Sequence, residues 1–393
     1  MKVLRVVAAA FVAAAITAPS VAVADAAYRG ASFIVSRQMP SGAFFSADQP
    51  PDGVGEDIAS LIAGGVTGAS VDRALAFVAT RGPDRARQNA AYAGRIILGL
   101  VAAGRNPRSF GGFDYVAELE SKYKPAGMYE PQLYADSLAV LGVIAAGDPV
   151  PVQAITYFRL NECSGGGFGH DEGCASKADT DTTSLVIDVL IAAGVPKFDT
   201  VISRARTWLS ETQNDDGGFG LYPGDPTNAN SAALALTAIA ALQERSEDWK
   251  KGNDARTALL ALQFPSGGFA LHAGDPKPND YATVQGVLGV SRRALPIRPG
   301  AKTASSNLGP TRSAQPASGF TLTSPISDAG TQSLAQPSHA AQKDAAAFMD
   351  QQPATSTVAQ HSRRKSSRSM LMAAASASLA LSGALFVRRR FAR

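Results

Sequence analysis

The chain has 393 residues, of which 45% are hydrophobic and 18% charged, a balance that suits a globular core with attached segments and would allow two or three domains. The formal net charge is +4 and the pI about 9.0, but much of the excess lies at the C-terminal end, in Arg363, Arg364, Lys365, Arg368 and Arg388–Arg390. A basic stripe on the folded part would be the footprint of a nucleic-acid binder; the sequence has none, and nucleic acid is not an expected partner.

Both ends read as targeting segments. Lys2 and Arg5 precede an apolar run, Val6–Ala15, and Ala22-Val23-Ala24 has the small-residue pattern of a cleavage site. Residues 1–24 are therefore expected to be a signal peptide, with the mature chain starting at Asp25; an uncleaved anchor is the alternative. Met370–Val387 is an Ala-rich apolar run of marginal length for a bilayer span, followed at once by Arg388–Arg390. The expected product is an exported, single-pass cell-surface protein held by a C-terminal membrane anchor, with residues 388–393 inside.

Between these ends the body runs from Asp25 to about Ile297, and apolar residues recur at helical spacing with few strand-like alternations. Asp57–Gly64 is a first short helix. Ser70–Thr80 is a second, stopped by Gly82-Pro83. Asn89–Gly104, Gln132–Gly147, Asp181–Gly194 and Asn230–Leu242 are apolar nearly all round and rich in Ala and Gly. Phe113–Tyr123, Val150–Leu160, Thr200–Thr212 and Asn253–Leu262 are amphipathic, and Tyr281–Arg292 ends the series.

Two helix types thus alternate. A helix apolar all round is buried on all sides. The arrangement that satisfies both types is an inner ring of Ala/Gly-rich helices inside an outer ring of amphipathic ones. About six pairs are expected, beginning near Ser32, Ser70, Phe113, Val150, Thr200 and Asn253. Closed on itself, this is an all-α, α6/α6 toroid; an open solenoid of helical hairpins is the alternative. Residues 298–369 are rich in Ser, Ala, Pro, Gln and Thr and read as a disordered stalk.

An internal repeat at a spacing of roughly 50 residues supports the array. QNDDGGFGLYPGDPTNAN at Gln213–Asn230 matches QFPSGGFALHAGDPKPND at Gln263–Asp280, with weaker copies at Asn161–Asp181 and Gln38–Asp57. Glycines allow the tight reversal from outer to inner helix, phenylalanine fills apolar space between pairs, and glutamine can bond a neighbouring turn. Gln213, Phe219, Gln263 and Phe269 are accordingly scaffold. Asp225 and Asp275 of the two Gly-Asp-Pro segments, with Asp215 and Asp216, suit an Asx-stabilised turn or a calcium site.

QNDDGGFG and its copies resemble the repeat of squalene cyclases and protein prenyltransferases, over about Ser32 to Leu295. The resemblance implies the terpenoid cyclase/prenyltransferase α/α toroid. It also directs attention to Asp179-Thr180-Asp181-Thr182-Thr183, which is similar to the Asp-x-Asp-Asp motif with which type II cyclases protonate an alkene or epoxide. Asp181 stands at the position of the acid and Asp179 at the first position, but Thr182 stands where the second aspartate of the pair should be. Helix capping is the competing role for these aspartates, since Asp57, Asn89, Asn230 and Asp280 also stand near inner-helix starts. The Asp/Cys/His zinc site of prenyltransferases and the Cys-Gly-Glu-Gln thioester motif are absent. No glycosidase carboxylate pair stands out.

The cysteines Cys163 and Cys174, in an exported chain, suggest a disulfide; a zinc site completed by His170, Asp171 and Glu172 is the alternative. No cofactor and no metal are expected. Three functions compete: a toroid that binds an extracellular small molecule, glycan, peptide or lipid at a mouth ringed by Asp57, Asn89, Tyr134, Asp136, Asp181, Asn230, Asp280 and Tyr281; a cyclase-like enzyme using Asp181 and Asp179; and a passive structural or adhesion module.

Overall fold

The computed structural model describes residues 18–299; the stalk and the apolar run Met370–Val387 lie outside the described residues. Twelve α-helices alternate in six pairs. The outer members are α1 (Ala18–Ser36), α3 (Ala69–Gln88), α5 (Tyr115–Glu120), α7 (Val152–Leu160), α9 (Thr200–Thr212) and α11 (Ala255–Leu260). The inner members are α2 (Pro51–Ala63), α4 (Ala90–Ala102), α6 (Leu133–Ala146), α8 (Thr180–Ala192), α10 (Ala229–Ala241) and α12 (Asp280–Val290). A two-residue hairpin, β1 (Lys250–Lys251) with β2 (Asn253–Asp254), precedes α11.

Each inner helix packs against the next, and α12 packs against α2. The ring is therefore closed. Inner helices are buried along almost their whole length, α6 from Leu133 to Ala145. The outer α9 buries only a stripe, Val201, Ile202, Ala205, Trp208 and Leu209. This is the difference between a helix enclosed on all sides and one with a solvent face. Small residues set the spacing of the inner ring: a Cβ on Gly99 of α4 would stand 2.2 Å from the carbonyl oxygen of Gly55 in α2.

The repeated Gly-Gly-Phe segment is a turn that locks one outer helix to the next. Gln213 Nε2 donates to the carbonyls of Gly217 (2.7 Å) and of Trp249 (2.8 Å), just before α11. Gln38 does the same to Gly42 and to Ser70 in α3, and Gln263 to Gly267 and Ala26 in α1. The last of these bonds ties the sixth pair to the first. Phe44, Phe168, Phe219 and Phe269 are fully buried beside these turns.

Three boundaries differ from expectation. The first outer helix begins at least fourteen residues before Ser32, at Ala18, so the expected cleavage point lies within α1, and the described packing residues Ala26, Ala27, Ala31 and Ile34 all follow it. α2 begins at Pro51, the first helical turn being where proline costs no hydrogen bond. α3 continues through Gly82-Pro83 to Gln88, because its last turns carry Arg85 to a salt bridge with Asp52 at 2.7 Å.

Candidate functional site: the axial mouth

The inner helices place their N-terminal turns at one end of the ring axis. There a belt of polar side chains crosses from helix to helix. Glu56 of α2 pairs with Arg95 of α4, which also holds Asp52 at 3.0 Å. Gln285 of α12 donates to Glu56 Oε1 (3.1 Å) and to the Tyr281 hydroxyl (2.7 Å). Tyr281 is hydrogen-bonded to Tyr134 of α6, whose phenol also senses the charge of Asp181 in α8. Asp181 accepts a bond from Ser231 of α10. The Tyr134 ring stacks on His170, 6.3 Å between centroids, so the cysteine loop covers this side of the mouth.

Below the belt the axis is apolar. Ala59, Leu98, Leu138, Leu185, Leu234 and Leu288 converge on a cavity whose upper wall is Glu56, Arg95, Tyr134 and Gln285. Its far end is closed by the segment after α12: Leu295 and Ile297 line the same cavity, and Arg298 donates to the Ile144 carbonyl at 2.9 Å. The space open to the centre of a water-sized sphere is about 40 Å³.

The two motif aspartates have separate jobs. Asp179 is the N-cap of α8: Oδ1 accepts from the Thr182 amide at 2.7 Å, and Oδ2 lies 3.0 Å from the Thr182 hydroxyl. Asp181 does not cap. It is 7% exposed and its Oδ1 has no hydrogen-bond partner. Burial, reinforced by the neighbouring Asp181 charge, pushes Asp179 up to about 8. Burial pushes Asp181 up to about 6. Both carboxyls are thus held above the ordinary carboxylate range, chiefly by burial.

The structure brings Asp181, Tyr134 and Tyr281 together at the mouth, with Asn230 in the first turn of α10 beside Ser231. Asp57 and Asp280 lie close enough to repel each other; burial drives Asp57 well above the carboxylate range, and Gln49 donates to it at 2.6 Å. Asp57 sits in the second turn of α2, however, and the caps of α10 and α12 are Asn228 and Asn279, one position before Ala229 and Asp280. Only Asn89 and Asp179 cap as expected. Asn89 is occupied by the Ala91 and Tyr92 amides. Asp136 accepts from the Tyr129 and Glu130 amides at 2.7 and 3.1 Å and so fixes the loop before α6. Neither ranks with the mouth groups.

Cys163 and Cys174 form a disulfide, which leaves no thiolate for zinc. Asp225 and Asp275 accept the amides of Tyr222 (3.2 Å) and His272 (2.8 Å), the turn role rather than the calcium one. Glu56, Arg95, Gln285 and Asp188 were not marked from the sequence. Arg95 is the one charged residue of α4, and Asp188 and Gln285 stand among apolar neighbours beyond the first turn of α8 and α12, an isolation that could have found them; Glu56, beside Asp57, carries no such signal.

The fold and the mouth define a closed α/α toroid with an acidic, hydrogen-bonded axial opening. No family model matches the chain. A curated relative, drimenyl diphosphate synthase from Streptomyces showdoensis, is 27% identical over 155 residues, which are 37% of this chain and 28% of that enzyme. The chain thus matches less than a third of that relative's length. The type II terpene cyclase MstE from Scytonema superposes with a TM-score of 0.52 at 12% identity, over 69% of this chain and 97% of that one. A variant of MstE in complex with geranylgeranyl dihydroxybenzoate, its substrate, gives 0.51 at 13% identity, over 69% and 95%. At these identities the likeness is one of fold: the chain has the α/α toroid fold of the type II terpene cyclase.

Proposed function

We propose that the protein is an exported, membrane-anchored toroid that binds a small extracellular ligand at its axial mouth without catalysing cyclisation. The size of the axial cavity carries this reading. About 40 Å³ is open along the axis. Small-molecule pockets usually offer roughly 300–1,000 Å³. A prenyl chain has no room while the leucines, Leu295 and Ile297 fill the centre. Thr182 in place of a second aspartate supports the same reading. Export and anchoring rest on the two terminal segments, and the disulfide suits an oxidising compartment.

A second reading, acid chemistry at Asp181, is favoured by one observation: its carboxyl is buried with an unpartnered oxygen. The relatives are a diphosphate synthase and a terpene cyclase. This reading requires the centre of the ring to open.

The test is incubation of the full-length protein with linear C15 and C20 isoprenoids, free and as diphosphates, with products followed by mass spectrometry. No cyclised product is expected. A cyclic product formed by the wild type and lost in Asp181→Asn would overturn the binding reading. Amino-terminal sequencing of the exported chain is expected to begin at Asp25.

A further inference from the structure

We propose that the mouth takes an organic ammonium head group, with Asp181 as its counter-ion; this rests on the binding reading above. The first observation is a set of acceptors without donors. Asp181 Oδ1, Gln285 Oε1 and Asn230 Oδ1 are buried and unpartnered. Asp181 is 7% exposed and Gln285 2%, so neither is served by bulk water. A buried acceptor left unpaired is costly, and a donor-bearing ligand would recover that cost.

The second observation is that the nitrogen donors of Arg95 and Gln285 are already used. Arg95 is shared between Asp52 and Glu56. Gln285 Nε2 is shared between Glu56 and Tyr281. The Gln285 amide cannot be turned over, because its oxygen would then face the Glu56 carboxylate. Its Oε1 therefore stays an acceptor.

The third observation is charge. Around the belt Asp52 and Glu56 share one guanidinium, Arg95, and a second guanidinium, Arg85, bonds Asp52 and lies 3.4 Å over the Tyr92 ring. The partner found for Asp181 is a hydroxyl, Ser231, not a cation. Such a mouth repels a phosphate or diphosphate and attracts a cation. Tyr134, in the cavity wall, adds an aromatic surface of the kind that favours ammonium groups. The cavity of about 40 Å³ admits only a few heavy atoms, and its own walls, Leu98, Leu138 and Leu185, suit a short alkyl part reaching in from the head group at the belt.

The test is calorimetric titration of the full-length protein with butylammonium, butanol and inorganic diphosphate. Butylammonium is expected to bind saturably and the other two not. Asp181→Asn is expected to weaken butylammonium at least about tenfold, and Gln285→Leu to weaken it as well. Circular dichroism checks that both variants are folded. Equal binding of butylammonium by wild type and Asp181→Asn overturns the proposal. So does saturable binding of butanol or diphosphate in its place; if Gln285→Leu abolishes that binding, the mouth reading survives with a different ligand class. No saturable binding of any probe overturns the ammonium proposal, and turnover in the isoprenoid assay separately overturns the binding reading.

Discussion

Thr237 has one hydroxyl proton and two acceptors within reach, Asp188 Oδ2 at 2.7 Å and the Leu234 carbonyl at 2.8 Å. The carbonyl can only accept, so both bonds form only when Asp188 carries a proton. Burial agrees, pushing Asp188 from 3.8 up to about 8. The folded state then holds a proton that the unfolded chain has lost above its ordinary value. Stability is therefore expected to fall as pH rises from about 4 to about 8, by at most about 1.4 kcal/mol per unit for this group, and to level off above. Asp188→Asn, whose amide can replace the acid proton, is expected to raise the melting temperature at pH 7 and flatten that slope, as read by thermal unfolding across the range. At the other end of α8, Asp179→Ala removes a cap and is expected to cost about 1–2 kcal/mol. Asp181→Asn, which touches no cap, is expected to leave stability unchanged or slightly higher; chemical denaturation separates the two.

At the scale of the element, the turn between outer and inner helix occurs five times, not four. Gly42, Gly127, Gly166, Gly217 and Gly267 all have φ between 88° and 98°. A Cβ on any of them would stand 2.8 Å or less from a carbonyl oxygen of the following outer segment, at Arg73, Gln153, Arg204, Asn253 and Arg29 in turn. Four copies were legible, three from Gly-Gly-Phe and one from Gly42-Ala43-Phe44. The fifth, Lys124–Tyr129, was not, because Tyr123 replaces glutamine and Met128 replaces the second glycine; only Gly127, which the backbone demands, remains. In the cysteine loop the residue in the glutamine's place is Glu162, which pairs with Arg204 at 3.0 Å. Gly217→Ala meets both the positive φ and the Asn253 oxygen at 2.2 Å, and is expected to destabilise by at least about 1–3 kcal/mol. A control at Gly224, where a Cβ meets nothing, is expected to cost less in the same unfolding assay.

For the whole molecule, closure is what creates an interior. It comes from α12 against α2 and from α1, whose Ala26 carbonyl receives the Gln263 side chain. The cysteine loop is anchored on this frame: Tyr157 donates to Glu172 at 2.7 Å, and the Leu133 amide to the His170 carbonyl at 2.8 Å. Reduction of Cys163–Cys174, which spans 11 residues, is expected to cost about 2–3 kcal/mol and lower the melting temperature. Loosening of the His170–Tyr134 stack would appear as a change in near-ultraviolet circular dichroism. Among the described residues no helix is long and apolar enough to cross a membrane.

The sequence by itself determined the helix pairs, which of them are buried, the cysteine partners and four of the five turns. Each is written in a local pattern: a period of 3.6, a helix apolar on every side, or a glycine where the backbone needs one. It did not determine that Asp181 meets Ser231 and Tyr134 while Asp179 caps, that Asp136 serves a loop, or that Arg95, Glu56 and Gln285 complete the mouth. Nor did it show Leu295 and Ile297 filling the centre, and so the cavity's size. Those depend on distances between side chains on different helices, up to 229 residues apart between Glu56 and Gln285. Such distances exist only once the ring has closed.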